Sequence, residues 1–482
     1  MIMNYYLGID LGTSSVKGVL FDRNGKEIKS RSFAYPVYYP QDGWSEQNPE
    51  DWLIGVKEII SALSKGHEND IKGLSVAGQM HGLVILDEND KVIRPCILWN
   101  DSRTEKETDY LNEVIGKSLL SEETGNIAFA GFTLPKILWL KNNEPENYQR
   151  IKKIMLPKDY ITYMLTGSFV TDYSDASGML LLDVKNKRYS KKILNLFNID
   201  EKLLPELHES FDVVGKVKIE YNLPHCVVTA GAGDNAAAAI GTATISNGDC
   251  NISLGTSGTV FVSLDEFKMD DNNALHSFAH ANGKYHLMGC ILSAASCNKW
   301  WFENILGRSD YQINKFDLGH NKVIFLPYMM GERSPHNDPY ARSLFIGMRP
   351  ATTQDEMSLA ILEGVSFALK DCLEVVKKLG VEVKQVSICG GGAKSDLWRQ
   401  VLSNILDVDV YRLDNEQGPA LGAAILAMVG SKEHPSIEKA TDAIVRKRLF
   451  VSPNKDLVKL YQERYLVFKK LYLSLKNTFK EI

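Results

Sequence analysis

The chain has 482 residues, 44% of them hydrophobic and 24% charged, with 55 Lys and Arg against 60 Asp and Glu for a formal net charge of −5. This is the composition of a globular chain of roughly two to four domains. The acidic balance, with no basic run, argues against a nucleic-acid binder, and no apolar run reaches the ~18 residues of a membrane span. Seven scattered cysteines without a C-x-x-C pair argue against a disulfide framework or a zinc site. Met1 leads straight into a strand pattern, so no signal peptide is expected and the expected location is cytoplasmic.

In chain order, the apolar runs Tyr6 to Ile9 and Val16 to Phe21 flank Gly12-Thr13-Ser14-Ser15. They predict a hairpin with a hydroxyl-rich turn. Such a turn either grips a phosphate through its N–H and hydroxyl groups or is a plain polar tip. Asp10 ends the first strand, where a carboxylate can hold a water or Mg²⁺ over that phosphate, and Lys17 adds positive charge. Gly73 to Leu86 reads strand, turn, strand, with Gln79-Met80-His81-Gly82 as the turn; a lone histidine there is more often structural than functional. Cys96 to Arg103, C-I-L-W-N-D-S-R, reads as a strand ending in polar residues. Trp99 offers an apolar face for the C–H side of a sugar, or belongs to the core, while Asn100 and Asp101 offer hydroxyl partners. Lys158 to Thr166 and Thr171 to Gly178 read as structural.

Cys226 to Ala230 is a short β-branched strand, followed by Gly231 and Gly233, then Asp234 and Asn235, then the alanines 236 to 239 of a helix. Asp234 therefore either caps that helix or holds a carboxylate in an open crevice. Gly231, Gly233 and Ala236 fit G-x-G-x-x-A, but a dinucleotide site wants an acid ~20 positions on, and Asp249 comes too soon. Asn251 to Val262, N-I-S-L-G-T-S-G-T-V-F-V, repeats the first hairpin around Gly255-Thr256-Ser257-Gly258. Two such hairpins, each opening one half, read as an internal duplication, here divided as 1–246 and 247–482. Val386 to Cys389 runs into Gly390-Gly391-Gly392-Ala393-Lys394-Ser395 and a helix. Three glycines let a flat base approach the backbone, or make a flexible turn. Glu416 to Gly422 precedes a small-residue helix. Asp456 to Phe479 reads as an amphipathic helix, core-packing by default and otherwise a homodimer surface.

The paired G-T-S loops resemble those of the actin, hexokinase and sugar-kinase ATPases. Gly131 to Asn143, G-F-T-L-P-K-I-L-W-L-K-N-N, and Ser343 to Glu363, S-L-F-I-G-M-R-P-A-T-T-Q-D-E-M-S-L-A-I-L-E, are similar to the two signatures of the FGGY carbohydrate kinases. The likeness runs from about Leu7 to about Gly430. It implies an α/β fold of two actin-like, ribonuclease H-like ATPase domains with an interdomain catalytic cleft. It implies ATP and Mg²⁺ as cofactors and a small-molecule sugar as substrate, with Asp234 as general base and Asp10 catalytic and metal-holding. Gly12, Thr13, Ser14, Lys17, Gly255 and Thr256 would hold phosphates; Gly391, Gly392, Ala393 and Asn404 would hold adenosine, closed by Glu416 to Gly422. The sugar site would comprise Met80, His81, Trp99, Asn100, Asp101, Asp234 and Asn235, rimmed by Gly43 to Gln47. Members that phosphorylate xylulose carry Met-His at this turn where glycerol kinases carry Arg-Glu, so the resemblance points to D-xylulose. Ribulose, gluconate or glycerol as substrate, and a conformational ATPase of the actin or chaperone kind, are the other readings.

Overall fold

The structure, a computed structural model, describes residues 4–414 and 417–482, and the chain does not divide at a single point. Residues 4–245, Ser277–Tyr285 and Gln417–Val445 form one unit; Ser246–His276, 286–414 and Arg446–Ile482 form the other. The single cut expected after residue 246 is thus corrected. The chain returns to the first unit because the helix Gly418–Gly430 packs against the strands Tyr5–Leu11 and Ile71–Gly78 and against the helix Asp234–Gly241. Among the described residues, no helix is long and apolar enough to cross a membrane.

In the first unit the sheet order is Val213–Lys216, Val227–Thr229, Ile71–Gly78, Tyr5–Leu11, Ser15–Asp22, Glu27–Ala34. The last three form an antiparallel meander, the expected N-terminal hairpin extended by Glu27–Ala34, and Tyr5–Leu11, Ile71–Gly78 and Val227–Thr229 run parallel. Parallel neighbours need a crossover. The helix Pro49–Ser64 supplies one, with Pro49 at its start, Glu50 and Asp51 in its first turn, and Trp52, Leu53, Val56, Ile59, Ile60 and Leu63 buried. Those residues and the alternate side chains of the strands form one core.

The other sheet face is covered by the alanine-rich helices Asp234–Gly241 and Gly418–Gly430. Small residues there permit backbone contact. A Cβ on Gly8 would stand 1.9 Å from the Ala420 carbonyl oxygen, and one on Gly422 1.8 Å from that of Ala237. The helix pair and the sheet are therefore locked at a spacing that only glycine allows.

In the second unit the strands Tyr285–Ile291, Gly258–Leu264, Cys250–Leu254, Gln385–Cys389, Asp409–Leu413 and Lys447–Val451 lie side by side in that order. Cys250–Leu254 is antiparallel to Gly258–Leu264 and parallel to Gln385–Cys389. Asp409–Leu413 continues the parallel run, and Lys447–Val451 closes it antiparallel. The steps from Gly258–Leu264 to Lys447–Val451 match those of the first unit from Ser15–Asp22 to Val213–Lys216, the relation the repeated hairpin predicted. The C-terminal helix Lys455–Leu475 buries Tyr461, Tyr465, Phe468 and Tyr472, a stripe at spacings of three and four.

Gly422→Ala should lower unfolding stability by about 1–3 kcal/mol or more, the cost of overpacking a rigid contact. Urea titration of the purified chain reads it. A loss below about 0.5 kcal/mol, the scale of a surface change, would mean that the two helices can part freely.

Candidate active site

Three parallel segments of the first unit end level. Asp10 and Leu11 pair with Ala77 and Gly78, and Ala232 and Gly233 pair with the same two residues from the other side. The turn Gly12–Ser14, the turn from Gln79 to His81, and Asp234 therefore leave the sheet at one edge, on neighbours about 4.8 Å apart. The carboxyl ends of parallel strands are where α/β folds hold ligands.

Asp234 is not the cap of its helix. Gly233, at φ −56° and ψ 145°, takes the N-cap place, and Asp234 is the first helical residue. Its Oδ1 accepts from the backbone N–H of Asn235 at 2.7 Å and from the Asn235 side-chain amide at 2.9 Å. Asn235 thus orients the carboxylate, which stays partly exposed. Burial first, and then the charge of Asp10, push the Asp234 carboxyl up to about 7 against the two Asn235 hydrogen bonds. Asp10 is itself pushed up to about 6 by burial, opposed by Lys17, its directly facing partner across the hairpin. The Lys17 ammonium donates to the Gln417 side chain.

A chain of side-chain hydrogen bonds stiffens the first turn. Thr13 Oγ1 donates to Gln79 Oε1 at 3.2 Å and accepts from the Trp99 indole at 3.0 Å. Gln79 donates to Gln47 Oε1 at 2.9 Å, and Gln47 donates to the Thr13 carbonyl at 2.7 Å. Trp99 is 46% exposed, so it is not a core residue, and its ring is pinned by its N–H. Gly12 and Ser14 complete the turn, with the Gly12 N–H on the Ser15 carbonyl at 3.1 Å.

Two expectations are corrected here. Asp101 is 2% exposed and both its oxygens are engaged: Oδ1 by the Arg103 N–H and Nε at 2.9 Å each, Oδ2 by Arg103 at 2.7 Å and the Ser45 N–H at 2.6 Å. It is a strut of the loop, while its neighbour Asn100 is exposed. The Gly43 to Gln47 stretch is a buttress rather than a rim. Ser45, Glu46 and Gln47 are buried, Glu46 pairs with Arg103 at 2.7 Å, and the Arg103 guanidinium lies 3.7 Å from the Trp44 ring centre.

His81 sits at φ 70°, a left-handed conformation that tertiary contacts must impose. Its carbonyl accepts from Thr133 at 3.1 Å and from Lys136 at 2.9 Å, and its ring stacks on Phe132 at 4.7 Å between centres. Its Nδ1 lies 3.0 Å from the Gly178 carbonyl. A carbonyl only accepts, so Nδ1 carries a proton and donates it to Gly178. Lys136, which donates also to Gly131 at 2.7 Å, is fully buried, and desolvation brings its ammonium down to about 7. Met80 is 4% exposed and lies against the base turn, where a Cβ on Gly233 would come within 3.0 Å of it. Gln79, Phe132 and Lys136 are not singled out from sequence as site residues, since an amide, a ring or a lysine in such a run carries no spacing signal.

In the second unit, Ser253 pairs with Cys389, so the Gly255 to Ser257 turn and the glycine run leave adjacent parallel strands together. Thr256 and Ser257 are exposed, and the Thr256 carbonyl accepts from the Ala294 N–H at 2.9 Å and the Ser296 hydroxyl at 2.7 Å. A groove of about 780 Å³ is lined by Gly390, Gly391, Ala393, Lys394, Arg399 and Arg412, among others. Gly391 is its open floor: a Cβ there would meet nothing within 4 Å. Gly392 and Asn404 do not line this groove. Gly392 packs on Trp398, whose ring a Cβ would approach to 2.9 Å. Asn404 is fully buried on an inward helix face and accepts from the Asn454 N–H at 2.9 Å. Glu416 lies outside the described residues.

Comparison with known proteins places two family domains one after the other along the chain. Residues 5–241 match the model of the FGGY family of carbohydrate kinases, N-terminal domain, and residues 250–431 match that of its C-terminal domain. The chain is 42% identical to a xylulose kinase of Lactococcus lactis, over 99% of this chain and 97% of that protein. Its structure is similar to that of a xyloylose kinase from Brucella ovis, with TM-score 0.94 and 35% identity over 98% of this chain and 100% of that one. It is similar also to a gluconate kinase from Lactobacillus acidophilus, with TM-score 0.94 and 27% identity over 99% of each.

A carboxyl held at about 7 is a base only when ionised, so lowering the pH removes it. The catalysed rate should fall about tenfold per pH unit below about 7 and level off above, measured as kcat/KM at saturating nucleotide. A profile flat down to about pH 5 would show that no such group titrates in the rate.

Proposed function

The chain belongs to the FGGY family of carbohydrate kinases, and we propose that it phosphorylates D-xylulose to D-xylulose 5-phosphate with ATP as donor. The family sets the reaction class and removes the conformational-ATPase reading. The observation that carries the reading is the shared strand edge, where the partly exposed Asp234 stands level with the Met80–His81 turn. The name of the Lactococcus lactis relative supports the choice of sugar.

A sugar hydroxyl is a poor nucleophile at neutral pH. Asp234 accepts its proton as the γ-phosphoryl group arrives, and a carboxyl held at about 7 is matched to that exchange. His81, its ring held by the Gly178 carbonyl, is a partner for the sugar, and Met80 and the Trp99 face take the C–H side. Asn235 keeps the base oriented. Gly12, Thr13 and Ser14 offer N–H and hydroxyl groups to phosphate, and Gly255 and Thr256 form a turn of the same chemistry in the second unit. The groove over Gly391 and Ala393 takes the adenosine.

The donor set suits Mg²⁺ carried on the nucleotide. Among the described residues no three carboxylate, histidine or cysteine groups converge as a metal cage. A phosphate-borne Mg²⁺ needs only one or two carboxylates, and Asp10, whose charge and that of Asp234 oppose each other, would hold it. Bound there, the ion neutralises phosphate charge. The seven cysteines are free thiols, in keeping with a cytoplasmic location.

Asp234→Asn should retain nucleotide binding and lose about 10²–10⁴ in kcat. His81→Ala should lose about 1–3 kcal/mol in kcat/KM for D-xylulose with an unchanged nucleotide dissociation constant. A panel of D-xylulose, ribulose, gluconate and glycerol, assayed by coupled ADP release, tests the sugar. A higher kcat/KM for gluconate would overturn the xylulose assignment and leave the family untouched.

A further inference from the structure

Behind the turn that carries Asp234 lies a group of charges that sequence reading took as plain structure. Lys158, Asp159, Asp172 and Asp175 are all within 1% of complete burial. The Lys158 ammonium lies 2.6 Å from Asp159, 3.1 Å from Asp172 and 3.9 Å from Asp175. It also donates to the Ala230 carbonyl at 3.3 Å. Asp172 caps the short helix Tyr173–Ala176; its Oδ2 accepts from the Ser174 N–H at 2.9 Å, the Ser174 hydroxyl at 2.5 Å and the Ser210 hydroxyl at 2.7 Å. The Ser174 hydroxyl in turn accepts the N–H of Gly233 at 3.2 Å.

Ala230 and Gly233 are the two ends of the base turn, with Gly231 between them at φ 78°. One ammonium therefore holds one end directly and the other through Asp172 and Ser174. The lysine stem is wedged in place: a Cβ on Gly78 would come within 2.7 Å of Lys158 Cβ, and one on Gly231 within 3.1 Å of its Cδ. Ionic clusters this deep are poor stability devices, because desolvation offsets the attraction and apolar replacements often stabilise. Orientation is the better account of such a cluster here. Three carboxyls face a single ammonium, and both Asp175 oxygens are buried without a hydrogen-bond partner. Burial raises the proton affinity of Asp175 first, opposed by Lys158 and reinforced by the charges of Asp159, Asp172 and Asp234.

We propose that Lys158, Asp172 and Ser174 are positioning residues for the catalytic base, a buried relay that fixes the Ala230 to Asp234 turn at the reacting edge of the sheet. The proposal rests on the reading of Asp234 as base. A carboxylate displaced by a fraction of an ångström loses rate before it loses binding. Three variants of the full chain, Ser174→Ala, Asp172→Asn and Asp234→Asn, are compared for kcat and KM with D-xylulose and for nucleotide dissociation constant and binding stoichiometry.

Ser174→Ala should lower kcat about tenfold or more per bound nucleotide, with sugar KM and nucleotide affinity within about twofold. Asp172→Asn keeps an acceptor for the Ser174 hydroxyl, so it should retain more rate than Ser174→Ala. A purely packing role would instead lower the folded fraction, and with it binding stoichiometry, leaving the rate per bound nucleotide intact; that result overturns the relay. So does a wild-type kcat in Ser174→Ala while Asp234→Asn is inactive. Full activity in Asp234→Asn would remove the base reading itself, and the relay's task with it.

Discussion

The site depends on one register: Asp10 and Ala232 both stand level with Ala77, and Leu11 and Gly233 with Gly78. A slip of one residue in either ladder turns every side chain of that strand to the opposite face. It would turn the Asp10 carboxylate to the other sheet face or carry the Asp234 turn out of line with His81. The register is held by tight contacts rather than by the ladder alone. Gly8 meets the Ala420 carbonyl and Gly422 meets that of Ala237 at distances no side chain could share. The helix Gly418–Gly430, which lies far along the chain, therefore sets where the N-terminal strands end.

On that frame, polarity is graded by how it is satisfied. Asp101 and Glu46 are buried and matched to Arg103, and so serve as struts. Burial raises the proton affinity of both Asp234 and Asp10, and the charge of Asp10 raises that of Asp234 further. Asp101 and Glu46 have the Arg103 guanidinium on them, whereas at Asp10 burial outweighs the opposing charge of Lys17. The Asp234 carboxylate is given only the two donors of Asn235, enough to orient it and too few to suppress its basicity.

Much of this was legible in the sequence, where the signal is local and periodic. The two G-T-S hairpins, the glycine turns before Asp234 and after Cys389, and the helix stripe at Tyr461, Tyr465 and Phe468 all follow from spacing. What was not legible depends on partners far apart in the chain. Asp101 looked like a sugar contact because nothing nearby in sequence announces that Arg103 folds back on it and that the Ser45 amide meets it. Asn404 looked like a nucleotide contact because helix phase alone did not reveal that its face turns inward toward Asn454. The Gln417–Val445 segment was assigned by its place in the chain, whereas its small residues fit the first unit's glycines.

The duplicated units share a sheet order but not a charge. Aligning Gly12-Thr13-Ser14 with Gly255-Thr256-Ser257 puts Leu11 on Leu254 and Asp10 on Ser253. The two positions are matched also in pairing, Asp10 opposite Ala77 and Ser253 opposite Cys389. A hydroxyl can donate to phosphate where a carboxylate would repel it. The same turn thus serves two ends: with an acid before it, it suits a cation and a proton transfer; with a serine before it, it suits an anion alone. The glycine run after Cys389 extends that logic, since Gly391 leaves open floor where the matching strand of the first unit continues into Gln79, Met80 and His81. The repeated scaffold thus carries different side chains at its two sets of strand ends.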